Sequence, residues 1–105
     1  MSKKKNIRQN FRDAVFERDK HRCRMCPKVL GLGEGLDAHH ITDRGDMPNG
    51  GYVKENGIAL CENCHIKAEE FHSTGTSHPG YSPEDLYRVI GSSHIAAVNA
   101  SERLK

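Results

Sequence analysis

The sequence has no tryptophan and only three phenylalanines and three tyrosines, so few side chains are large enough to anchor a core. Hydrophobic residues fill 35% of its 105 positions and charged residues 29%. A chain of this size buries roughly two-thirds of the surface its unfolded form exposes, a marginal basis for an unaided fold. No apolar run approaches the roughly 20 residues that a spanning helix needs, which excludes a transmembrane segment of that kind. Residues 1–10 are basic and polar, with no apolar stretch, so no secretory leader is expected. The expectation is one small soluble domain in the cytoplasm, where a metal or a partner makes up for the small core.

Charge is present but unevenly placed. Residues 1–28 carry ten Lys and Arg against three acidic residues, a net +7, whereas residues 29–105 carry six against eleven, a net −5. A basic segment ahead of an acidic body fits a polyanion contact made through residues 1–10, and equally fits a solubilising tail.

The pattern along the chain predicts a small α+β domain. Ile7, Phe11, Ala14, Val15 and the Arg18 stem share one helical face, which predicts a helix over 7–19 with Arg8, Arg12 and Asp13 turned to solvent or to a phosphate. Pro27 stops any continuation beyond the first cysteine pair, and the glycines of 31–35 predict a flexible turn. Residues 36–41 and 58–61 are short strand candidates. The loop over 43–51 between them is rich in turn residues, so an antiparallel hairpin is expected. A second helix is expected over 62–72, with Glu62 in its first turn, and a polar linker over 73–80. Ser82-Pro83-Glu84-Asp85 reads as a helix start, with Leu86, Val89 and Ile90 as its apolar face. Residues 94–105 read as a weak helix or a frayed end.

The four cysteines form two pairs, Cys23-x2-Cys26 and Cys61-x2-Cys64, with 34 residues between them. Two residues between thiolates let a tight turn aim both sulfurs at one tetrahedral ion, and two such knuckles complete a closed structural zinc site. A redox dithiol would follow a strand in a βαβ pattern, which this sequence lacks. With every coordination position taken by sulfur, such a zinc is scaffold, and chemistry has to come from other residues.

Those other residues lie between and just after the knuckles: Asp37-Ala38-His39-His40-Ile41, then Asn56 five positions ahead of Cys61, then His65 directly after Cys64. With Arg18-Asp19 ahead of the first knuckle, this order over residues 11–72 resembles the HNH endonucleases, in particular the subset whose ββα-metal (His-Me finger, treble-clef-like) motif is bracketed by two CxxC knuckles. The resemblance implies residues 1–10 as a basic arm, 11–72 as nuclease core and 73–105 as a helical extension. It implies DNA as partner, with a structural Zn2+ and a catalytic Mg2+ or other divalent ion as cofactors. It also implies His40 as general base, His39 and His65 as ligands of the catalytic ion, and Asn56 as the residue that fixes the inter-strand loop and orients His40. Products would carry 5′-phosphate and 3′-hydroxyl ends, and a bacterial or phage-infected cell is the usual setting.

The chemistry needs these residue types. Phosphodiester hydrolysis requires an activated water, neutralisation of phosphoryl oxygens and stabilisation of the leaving oxygen. A divalent ion meets the last two needs, and an imidazole meets the first. In a regular strand, however, His39 and His40 point to opposite faces, so both serve one site only if the strand bends or ends there. Glu69, one helical turn beyond His65, is a candidate third ligand against a solvated helix face. His72 lies about 10 Å along the axis from His65, too far to share its ion unless the helix end unwinds, and a solvated face is the favoured reading for it as for Glu69. Arg44, Arg8 and Arg12 are candidate phosphate contacts, while His21, His78 and His94 read as surface residues. The alternative to a nuclease is a non-catalytic treble-clef zinc module that binds nucleic acid or protein. It accounts for the cysteines but not for the His-His-Ile strand, Asn56 and His65. Oligomeric state, monomer or homodimer, stays open.

Overall fold

A computed structural model describes residues 3–26 and 35–104. Helix α1 (Lys3–Arg18) leads to the first cysteine pair. Strands β1 (Leu36–His40) and β2 (Gly57–Cys61) follow, joined by three short 3-10 turns at Arg44–Asp46, Pro48–Gly51 and Lys54–Asn56. Helices α2 (Glu62–Thr74), α3 (Pro83–Val89) and α4 (His94–Glu102) complete the order. The β1–β2–α2 succession is the ββα arrangement expected from the sequence. Pro27 and most of the turn expected over 31–35 lie outside the described residues. Among those described, no helix is long and apolar enough to cross a membrane.

The strands pair antiparallel, with Leu36 opposite Cys61, Ala38 opposite Ala59, and His40 opposite Gly57. Alternation along β1 and β2 then divides the molecule into two layers. One face, with Ala38, Ala59 and part of Leu36, packs on Phe11, Val15 and Phe16 of α1. The other carries Ile58 and Leu60, and with Ile41 it meets Ala68 of α2, Leu86 and Tyr87 of α3 and Ala97 of α4. Gly57 lets α1 come this close, because a Cβ there would lie 2.5 Å from Val15 Cγ2 and 2.7 Å from Phe11 Cε1.

Helix α1 begins at Lys3, four residues ahead of the expected start, because nothing in 3–6 breaks a helix and lysine favours one. It ends where Lys20 and His21 take left-handed backbone angles, φ +57° and +55°, turning the chain toward Cys23. Asp19 at this turn is buried and binds three elements together. It accepts from Arg18 Nε at 2.8 Å, from Arg24 of the first knuckle, and from the Ala59 amide of β2 at 2.9 Å. Burial alone would raise its carboxyl pKa, but these donors outweigh burial and hold it below the usual value.

The C-terminal helices are well-formed. Ser82 and Asp85 close a reciprocal capping box with Pro83 at the first helical position. Residues 94–102, expected to be weak, form a helix capped by Ser93, whose hydroxyl accepts from the Ala96 amide at 3.1 Å. Ala97 and Ala100 are buried on it, small enough for close packing on the inter-strand loop. Asn49 of that loop donates to the carbonyls of Ser101 and Leu104 at 2.9 and 3.0 Å.

Candidate active site and metal centres

The end of α1 and the β2–α2 junction bring the four cysteines together. The sulfurs of Cys23, Cys26, Cys61 and Cys64 all lie within 4.8 Å of one another. Cys26 and Cys61, from different knuckles, are 3.7 Å apart. A tetrahedral ion with metal–sulfur bonds of about 2.3 Å sets its sulfurs roughly 3.8 Å apart, so the cluster has the right size for one. Crowding polarises the thiols against each other. Burial raises Cys61, yet donors from Cys64 and the other thiols outweigh it and bring it down to about 7. Burial and the neighbouring sulfurs push Cys64 up to about 12. The four sulfurs repel one another when ionised, so all four become thiolates only around a cation. Tyr81, from the linker before α3, donates its hydroxyl to Cys64 Sγ at 3.3 Å, a contact with no signature in sequence spacing.

Away from the cysteines, β1 and α2 bring a second set together. His39 points to the α2 face and is 2% exposed, and neither ring nitrogen has a hydrogen-bond partner. Burial first, then the rings of His65, His72 and His40, lower its pKa to about 3, so it is a neutral imidazole with lone-pair capacity unspent. His65 and Glu69 stand beside it: single donor atoms from these three residues lie within 4.8 Å of one another. Glu69 Oε1 is 3.8 Å from His39 Nδ1 and 3.9 Å from His65 Nε2. Two imidazoles and a carboxylate make a donor set suited to a divalent ion. The unpartnered nitrogens of His39 are the observation that fits such an ion best.

Sequence reasoning missed two residues here. Asp37 Oδ2 lies 3.3 Å from His65 Nδ1, on the same strand face as His39. A carboxylate there holds the proton on Nδ1 and leaves Nε2 free toward His39 and Glu69. The alternation of β1 was the available signal. His72 is not on a solvated face. Its Nε2 donates to the His40 carbonyl at 2.9 Å, and its ring stacks on His39 with centroids 5.2 Å apart.

His40 projects from the opposite face, as strand geometry requires. It stacks on Phe11 with centroids 4.4 Å apart and meets the Tyr52 ring edge-on at 4.9 Å. Burial, then the Arg44 charge, bring its pKa down to about 4, despite an opposing effect of Asp43. Both histidines nevertheless border one cavity of about 400 Å³, and among the described residues β1 has a strand neighbour on one side only, so residues of both its faces can line it. Opposite faces of a strand reach one site when no neighbour covers the edge. Arg8 and Arg12 of α1 and Arg44 of the loop line the same cavity, with His65 and Glu69. Arg12 also lies over the Phe16 ring at 4.7 Å. His21, His78 and His94 are exposed.

Asn56 is fully buried and holds the loop that carries Arg44. Its Nδ2 donates to the carbonyls of Thr42 and Gly51 at 3.1 and 3.2 Å. Its Oδ1 accepts from the Thr42 amide at 2.9 Å and the Tyr87 hydroxyl at 2.7 Å. Every hydrogen-bonding position of the amide is used. Gly51, at φ +67°, allows this approach, since a Cβ would come within 2.6 Å of Asn56 Nδ2.

No curated protein and no solved structure matches this chain. A family model described as HNH endonuclease matches residues 23–71, a span that opens at the first knuckle, contains both strands and closes on α2 one residue before His72. The paired cysteines, the ββα order and the matched span agree, and residues 23–71 match the HNH endonuclease family.

Proposed function

We propose that this protein is a metal-dependent endonuclease that hydrolyses DNA phosphodiester bonds. The observation that carries the reading is His39, buried with both ring nitrogens unpartnered and facing His65 and Glu69, beside a cavity shared with His40. Cys23, Cys26, Cys61 and Cys64 hold a structural Zn2+, for which their separation is suited. His39, His65 and Glu69 hold a catalytic divalent ion such as Mg2+. That ion, when bound, neutralises phosphoryl charge and stabilises the leaving 3′ oxygen.

The chain's own residues perform the rest. The His40 imidazole is kept neutral by burial, so it is ready to take a proton from the attacking water. Phe11 and Tyr52 fix its ring plane, and His72 fixes its backbone through the His40 carbonyl. Asn56 positions the loop after β1 rather than touching reacting atoms. Arg8, Arg12 and Arg44 give the cavity rim the positive charge that a DNA backbone requires.

Plasmid nicking with Mg2+, Mn2+ or Ni2+ tests the assignment by comparing wild type with His40→Ala. Metal-dependent cleavage by wild type, reduced at least about 100-fold in the variant, is expected for loss of a general base. Equal cleavage by the variant removes His40 from the mechanism. No cleavage by either protein with any metal, and one bound metal per chain, would leave a zinc-binding module.

A further inference from the structure

Tyr52 lies in the inter-strand loop, between the turns at Pro48–Gly51 and Lys54–Asn56, and borders the cavity that holds His39 and His40. Its ring is fixed on two sides, edge-on to His40 at 4.9 Å and to Phe11 at 5.9 Å. Its hydroxyl oxygen accepts a hydrogen bond from Arg44 at 3.1 Å, and Arg8 of α1 lines the same cavity, its charge acting on the phenol. A phenol oxygen has two lone pairs and one proton. With one lone pair engaged by the Arg44 guanidinium, the O–H is left to donate, and the two cations withdraw electron density from it. Two arginines from different elements thus meet at a neutral oxygen beside the candidate general base. An anion entering the cavity meets both cations and the phenol O–H together.

We propose that Tyr52 is a catalytic residue that donates a hydrogen bond from its phenolic O–H to a non-bridging oxygen of the scissile phosphate. No proton is transferred. The phenol stays intact, and its bond strengthens as charge builds on the phosphoryl oxygen, so it favours the transition state over the bound substrate. Arg8 and Arg44 orient the phenol and share the phosphate charge. This inference rests on the nuclease reading above, and it adds a donor that neither the histidines nor the metal ligands provide.

Tyr52→Phe keeps the ring packed on Phe11 and His40 and removes only the hydroxyl. The experiment is single-turnover cleavage of a duplex oligonucleotide at saturating protein, alongside DNA affinity by anisotropy in Ca2+ and the melting temperature. A cleavage rate about 10- to 100-fold lower, with affinity within about twofold and melting temperature unchanged, is expected for loss of one transition-state donor. A single phosphorothioate at the scissile position supplies a second readout. Sulfur accepts hydrogen bonds poorly, so the diastereomer that faces Tyr52 should slow wild type more than it slows Tyr52→Phe. Unchanged cleavage at saturation overturns the proposal, whether or not affinity falls, and so does an equal phosphorothioate effect in both proteins. Absence of cleavage by wild type overturns the nuclease reading itself, which separates the two failures.

Discussion

Asp37 shows how much a single side chain can contribute at the residue scale. It lies 3.3 Å from His65 Nδ1 and thereby selects the tautomer that offers Nε2 to an ion. Asp37→Asn keeps the size and loses the charge. Its expected effect is a roughly 10-fold weaker affinity for the divalent ion, measured by calorimetric titration of zinc-loaded protein, with the melting temperature of the ion-free form little changed. Titration of the buried histidines gives a second expectation. His39 and His40 have folded pKa values near 3 and 4, below the roughly 6.5 of an unfolded imidazole. The unfolded chain therefore binds more protons as pH falls below about 6.5, and stability drops progressively toward pH 4. Above about 6.5 this effect is absent. Melting temperatures of protein without the second ion should fall between pH 7 and 5 less steeply in His39→Gln than in wild type. Parallel curves would show that His39 is not held neutral by the fold.

At the scale of elements, the C-terminal helices support the inter-strand loop. Tyr87 of α3 donates to Asn56 at 2.7 Å and accepts from the Thr42 hydroxyl at 2.7 Å, while Ser92 bonds the Glu55 carbonyl at 2.9 Å. Burial raises the Tyr87 pKa, which keeps it a donor. Leu86 and Tyr87 belong to the same buried cluster as Ile58 and Leu60 of β2. Truncation after Ser73 should therefore lower the melting temperature by roughly 10 °C or more, since burying Leu86 alone contributes about 1.5–3 kcal/mol. An unchanged melting temperature would mean that residues 74–105 pack independently of the core. The elements themselves were largely legible in the sequence. Knuckle spacing, strand alternation and the Ser82–Asp85 cap placed β1, β2, α2 and α3 within a residue or two. Helix α4 was legible only as a weak helix or a frayed end, because its burial depends on alanines fitting a loop distant in sequence. The early start of α1 was missed because apolar periodicity begins only at Ile7.

For the whole molecule, the two candidate metal centres should divide stability from activity. The four-cysteine centre joins α1, β2 and α2, whereas the histidine centre lies at the open edge of β1. A chelator strong enough to strip the thiol-bound ion should unfold the chain, with loss of far-ultraviolet circular dichroism and release of one zinc per chain. A weaker chelator should abolish cleavage and leave the spectrum intact. Retained structure after zinc release would contradict the scaffold role. The opening deficit in large core residues has its counterpart here. Phe11 and Phe16 pack the α1 face of the sheet, and the thiol cluster joins the core on the other.

The sequence by itself determined which donors exist and how they are paired. CxxC spacing, the adjacent histidines and the Asn–Cys–His order are local properties, and local spacing limits what one turn or one strand can present. Tertiary structure alone decided which donors share a site. Strand geometry sends His39 and His40 to opposite faces, and among the described residues the edge of β1 away from β2 has no strand neighbour, so one cavity reaches both. Asp37 beside His65, Tyr87 on Asn56, and Tyr52 between Arg8 and Arg44 are pairings whose members come from different elements. Burial demands a partner for Asn56, and in all three cases the packing of distant segments determines which group each side chain finds.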